Sequence, residues 1–145
     1  MPGPILNPQV IHFDLYSLPV VIVGVVTVLL AAFVLVREQG SRVGRRYFAF
    51  AASVALYVTA AGVSYAVTDP ALSLAWDRVA HLGVVFIPTT LWGASVAVLG
   101  WIGRDRGVFA ALLGISIVCA ALSLFSDLFI AGNRLVFWGW YPVYG

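Results

Sequence analysis

The chain has 145 residues, 62% of them hydrophobic and 10% charged, with a mean hydropathy of +1.02. Ordinary soluble domains are about 45–50% apolar and about 25% charged, so a water-facing fold of this size would lack the charges to cover its surface. The formal charge of +2 rests on 8 basic residues, all arginine. They lie between apolar runs rather than in a basic stripe with interleaved aromatics, which argues against a nucleic-acid partner and leaves the lipid bilayer as the main solvent.

Four runs are long enough to span a bilayer, which takes about 20 apolar residues as a helix. Residues 1–17 come first, a proline-containing segment with His12 and no basic residue. The first run, about residues 18–36, has no positive charge before it and no small-residue cleavage pattern directly after it, so it reads as an uncleaved span and not a signal peptide. Arg37, Arg42, Arg45 and Arg46 follow, then a second span at about 47–67. From Thr68 to Trp76 there is no basic residue. The third span covers about 78–102, Arg104 and Arg106 follow, and the fourth covers about 108–130. Residues 131–145 then read as an aromatic extracytoplasmic loop.

Backbone polar groups in hydrocarbon need internal partners, so each run is expected to be a helix. Arginine asymmetry puts the first and third connectors in the cytoplasm. The expected fold class is therefore all-α, an integral membrane four-helix bundle with its N-terminus and C-terminus extracytoplasmic. Tyr16, Tyr65 and Trp76 fall at the outer ends of the spans and Tyr47 and Trp101 at the inner ends, the headgroup level that amphipathic rings prefer. Small residues four apart, which let helix backbones approach, occur at Ala51/Ala55, Ala60/Ser64, Gly93/Ala97, Ala110/Gly114 and Ser116/Ala120.

The densest polar group is Asp77, Arg78 and His81 at the outer end of the third span. Asp77 and His81 share a helix face and are spaced to pair. One reading is an extracytoplasmic ligand-binding or proton-sensing site. The other is an interfacial helix start, with Asp77 favoured by the N-terminal dipole. Asp127, near the outer end of the fourth span, belongs to the same candidate site or pairs structurally with Arg134 or Arg78. Pro88 lies mid-span, followed by Thr89 and Thr90, and serves either as a hinge or as a packing feature.

Five of the nine residues from Phe137 to Gly145 are aromatic: Phe137, Trp138, Trp140, Tyr141 and Tyr144. Glycine and proline break any helix there, so the stretch reads as a turn or re-entrant loop in the outer interface. It would cover an apolar or quinone-like ligand, or anchor the next crossing. His12 and His81 lack metal-ligand spacing, and Cys119 alone builds neither an intramolecular disulfide nor a thiolate cluster. No metal is expected and no cofactor is assigned. No phosphate loop, HExxH or GxSxG pattern is present, and catalysis is not expected.

Two segments resemble a known family. Trp76-Asp77-Arg78, with Leu82-Gly83 and Pro88 after it, resembles the N-terminal seven-helix sensor region of bacterial and archaeal histidine kinases. The run from Trp138 to Gly145 is similar to that family's aromatic loop after its fourth helix. The resemblance covers nearly the whole chain but only the first four helices of seven. It implies an outside N-terminus and signalling domains inside, after the seventh helix. No phosphoacceptor-histidine helix or ATP-binding domain accompanies it.

The resulting expectation is a membrane-embedded sensory input region of a signal-transduction protein, non-catalytic in itself, in a prokaryotic cytoplasmic membrane. Its partners would be lipid and other transmembrane helices. An even number of crossings leaves Gly145 on the outer side, after an aromatic loop that in the family leads into another helix, so either the native chain continues past Gly145 or a truncated relative serves another use. The alternative is a small structural or accessory subunit of a larger bioenergetic or photosynthetic complex.

Overall fold

The computed structural model describes residues 11, 15–39, 41–101, 106–137 and 139–145. Four helices precede one hairpin: α1 (Ser17–Arg37), α2 (Arg42–Ala66), α3 (Pro70–Val98), α4 (Arg106–Phe125), then β1 (Gly132–Val136) and β2 (Gly139–Val143). All four helices are long and apolar enough to cross a membrane. The protein is a mostly helical, multi-pass membrane protein.

Capping groups, not the edges of the apolar runs, set two of the helix starts. Ser41 Oγ accepts from the Gly44 amide at 2.9 Å, so α2 begins ahead of Tyr47 and takes in Arg42, Arg45 and Arg46. Asp69 Oδ1 accepts from the Ala71 amide at 2.8 Å, and Pro70 occupies the first turn, where its missing N–H costs nothing. That cap starts α3 two turns before Arg78. Asp77 therefore lies about 10 Å inside the helix at 1.5 Å per residue, not at its N-terminus. The dipole reading of Asp77 is corrected accordingly. At the other end of the chain α4 stops at Phe125, which leaves Asp127 outside the helix.

The helices pack in chain order: α1 on α2, α2 on α3 and α3 on α4, with no contact between α1 and α4 among the described residues. The central α2–α3 crossing is close. A Cβ on Gly83 would stand 2.5 Å from the Tyr57 amide nitrogen and 2.7 Å from the Ser53 carbonyl oxygen, so only glycine lets the two backbones meet there. At the α1–α2 crossing, Gly62 lies against Val21 and Gly24 against Thr59.

Of the small pairs, Ala51/Ala55, Ala60/Ser64 and Gly93/Ala97 are buried. Ala110 and Gly114 are exposed, contrary to the expected seam, because α4 turns Ser116 and Ser123 toward its neighbours instead. Ile22, Val26, Leu29 and Leu30 of α1 and Ile115, Ile117 and Val118 of α4 point outward, as lipid-facing side chains do.

α3 continues through Pro88 as one helix. Ser116 Oγ of α4 donates to the Val85 carbonyl at 2.7 Å and lies 2.8 Å from Thr89 Oγ1. A hydroxyl has one proton, so Thr89 donates to Ser116 and Ser116 to the α3 backbone. Thr90 Oγ1 bonds back to the Phe86 carbonyl at 2.8 Å. Hydroxyls thus surround the turn that proline deprives of a donor, the usual way a membrane helix tolerates it.

The segment expected as an irregular loop is a two-stranded antiparallel hairpin, with Gly132 opposite Val143, Arg134 opposite Tyr141 and Val136 opposite Gly139. Glycine and proline do exclude helix there, but each suits a short strand pair. Pro142 is tolerated because a two-stranded sheet consists only of edges. Gly139 has φ +131, and a Cβ on it would meet the Tyr65 carbonyl oxygen at 2.6 Å. The hairpin is docked on the α2–α3 connection: Trp140 Nε1 donates to the Thr68 carbonyl at 3.3 Å and Asn133 Nδ2 to the Pro70 carbonyl at 2.8 Å.

Candidate functional site

Two stripes at helical spacing face each other across the α2–α3 crossing. Tyr57, Ala61 and Tyr65 lie on α2, and Asp77, Ala80, His81 and Val84 on α3. Tyr141 and Pro142 of β2, with Tyr144, close the end, and together these side chains line a cavity of about 210 Å³. Gly83 sets the helices close enough to form its base, and Gly139 brings the hairpin close enough to cover it.

Asp77 is buried, at 4% exposure, and its Oδ2 has no hydrogen-bond partner. The neighbouring buried hydroxyls, Ser64 and Ser73, bond to each other at 2.9 Å. The His81 ring stacks obliquely between Phe129, at 5.9 Å, and Tyr144, at 6.1 Å. Asp77 and His81 share a helix face, as their spacing suggested, and line the same cavity, but the pairing that spacing allowed is not formed: no hydrogen bond or ion pair joins them among the described residues. Burial pushes the Tyr144 phenol above its ordinary pKa, and the neighbouring Tyr141 adds to the effect, so it stands protonated over the cavity near neutral pH.

Arg78 takes a different direction. Successive helix residues are rotated by about 100°, so a side chain next to Asp77 leaves the cavity. Arg78 Nη2 donates to Asp127 Oδ1 at 2.7 Å and ties α3 to the segment after α4. The other pairing considered for Asp127 is not formed; Arg134 lies over the Tyr141 ring instead, its guanidinium carbon 5.8 Å from the centroid.

The polar constellation read from the sequence is therefore split into a cavity pair, Asp77 and His81, and a surface pair, Arg78 and Asp127. Pro88 lies along α3 from the cavity, next to the Thr89–Ser116 link. Of the aromatic loop, Tyr141 and Tyr144 reach the cavity, Trp140 fastens the hairpin to Thr68, and Phe137 packs edge-on against Tyr16 at 6.0 Å. Trp138 and His12 lie outside the described residues. No group of three metal-ligating side chains occurs among those described.

Tyr57 and Tyr65 were missed as cavity residues. Their signal was present as a tyrosine spacing of eight with Ala61 between, one stripe of a helix, but nothing in the sequence indicated that this stripe faces Asp77.

The N-terminal 7TM region of histidine kinases matches residues 19–143, which takes in all four spans, the cavity and the hairpin. The chain belongs to this family. Neither a curated protein nor a solved structure matches it. In histidine kinases the 7TM region is the sensory input part rather than the catalytic one, so the chain is a membrane-embedded input region of a signalling protein. Its lipid environment and its association with other parts of the same signalling protein follow from that membership and from its apolar helices.

Proposed function

We propose that this input region detects its stimulus in the cavity beneath the hairpin, with Asp77 and His81 as the responding groups. Arg78 and Asp127 hold the adjoining lip. The observation that carries the reading is a buried carboxyl with an unpartnered oxygen, in a helix of membrane-spanning length, lining a cavity. Acidic groups are expensive at such positions and are retained chiefly where they work.

The same reading orients the hairpin and both termini to the extracytoplasmic side of a prokaryotic cytoplasmic membrane, with the arginine-rich connector inside. A change at Asp77 is passed along α3 through the turn at Pro88. The far end of α3 is coupled to α2, where Arg46 Nη1 donates to the Gly93 carbonyl at 3.2 Å and the guanidinium lies 5.2 Å from the Phe109 ring centroid.

The test is the double substitution Asp77→Ala with His81→Ala in the native gene product, read as stimulus-dependent output in cells with membrane abundance held equal. Loss of response at normal abundance is expected. An unchanged response sinks the site assignment.

A further inference from the structure

The ligand class is legible in the cavity walls. A carboxyl at 4% exposure, with Oδ2 unpartnered, lies among four tyrosines, Tyr57, Tyr65, Tyr141 and Tyr144. The nearest basic side chain in sequence, Arg78, is committed to Asp127 at 2.7 Å. Arg134, on the strand opposite Tyr141, is exposed and lies over the ring of that tyrosine. No cation reaches Asp77 among the described residues, and a buried acidic group without one is costly.

Aromatic side chains present the negative face of their quadrupole to positive charge, and a ring set with one carboxylate is the arrangement that holds compact alkylammonium groups. Tyr141 shows that this ring chemistry already operates in the chain, since it holds a guanidinium at 5.8 Å. Size narrows the class further. At about 210 Å³ the cavity is below the range of about 300–1,000 Å³ that takes drug-sized ligands, which favours a small occupant.

We propose that the cavity binds a small organic cation of the alkylammonium class, its charge facing Asp77 and its methyl or methylene surface against the tyrosines. The inference rests on the reading of this cavity as the sensing site and adds the chemistry of what is sensed. An anionic ligand would meet the Asp77 carboxylate, and His81, the one basic side chain that lines the cavity with it, makes no ion pair with Asp77 among the described residues. A neutral ligand would leave the carboxylate without a counter-charge.

The test is calorimetric titration of the purified protein in detergent with tetramethylammonium chloride. Sodium chloride controls for ionic strength, and tert-butanol serves as an uncharged probe of similar shape. Saturable binding of tetramethylammonium is expected, with tert-butanol weaker by roughly tenfold or more. Asp77→Asn and, separately, Tyr57→Leu are each expected to weaken the cation by a similar factor, while Gly114→Ala, on an exposed face of α4, leaves it unchanged.

Tyr57→Leu provides an arm that leaves the buried carboxyl intact, and size-exclusion profiles with helical circular dichroism establish that each variant is folded. Absence of saturable tetramethylammonium binding overturns the proposal. So does equal affinity for tert-butanol, or wild-type affinity in both folded variants. If the cation fails to bind while the Asp77→Ala, His81→Ala protein still loses its response in cells, the cavity senses another chemistry. If that response also persists, the site reading falls with it.

Discussion

Arg78 Nη2 and Asp127 Oδ1 stand 2.7 Å apart across 49 residues of chain, while Asp77, one residue from Arg78, is buried on another face of the same helix. The pair is at the surface on the Asp127 side and half-buried on the Arg78 side, with side-chain exposures of 28% for Arg78 and 75% for Asp127. Exposed ion pairs contribute about 0–1 kcal/mol, because solvent screens them and ordering two side chains costs entropy. Asp127→Asn is therefore expected to lower stability in detergent by less than about 1 kcal/mol, with the loss shrinking as salt rises. A larger, salt-insensitive loss in thermal unfolding would show that the pair does more than tie two surface segments.

Gly83 and Gly114 are matched glycines in opposite environments. A Cβ at Gly83 meets the α2 backbone at 2.5 Å, whereas one at Gly114 meets nothing within 4 Å. Gly83→Ala forces the α2–α3 crossing apart and is expected to cost about 1–3 kcal/mol. Gly114→Ala should fall within about 0.5 kcal/mol of wild type. Equal melting temperatures for the two variants would contradict the packing described.

The hydroxyl chain from Thr89 through Ser116 to the Val85 carbonyl links α3 to α4 beside Pro88. Hydrogen bonds between membrane helices average about 0.6 kcal/mol and reach about 1.7. Ser116→Ala and Thr89→Val, alone and combined, should give a positive coupling energy in that range. Strict additivity would mean that the two hydroxyls do not share a proton chain.

At Gly139 both backbone conformation and space demand glycine: φ is +131, and the Tyr65 carbonyl lies 2.6 Å from where a Cβ would be. Gly139→Ala should cost about 1–3 kcal/mol of local stability. Because the hairpin roofs the cavity, amide exchange at Trp140, Tyr141 and Val143 should quicken while exchange within α2 and α3 is unchanged. Uniform quickening throughout would mean that the hairpin and the helices unfold as one unit.

The sequence by itself determined that the chain lives in a bilayer, that four helices cross it and where its arginines fall, because apolar length and charge placement are one-dimensional properties. It also carried the family, through Trp76-Asp77-Arg78, Pro88 and the terminal aromatic run. Helix starts were less legible: Asp69-Pro70 is a cap and first-turn pair that hydropathy does not weigh, so Asp77 looked terminal when it is two turns inside. The hairpin was hidden for a related reason, since glycine and proline signal the end of helix without specifying what replaces it.

Only the tertiary structure decided which faces meet. Helical rotation sends Asp77 inward and Arg78 toward Asp127, and the backbone approach at Gly83 turns the Tyr57–Tyr65 stripe toward Asp77. Dense polar spacing along one helix singled out Asp77, Arg78 and His81, of which Asp77 and His81 line a cavity. The cavity exists because a second helix and a hairpin, far apart in sequence, close over half of that polar group and leave the other half as an ion pair at the surface.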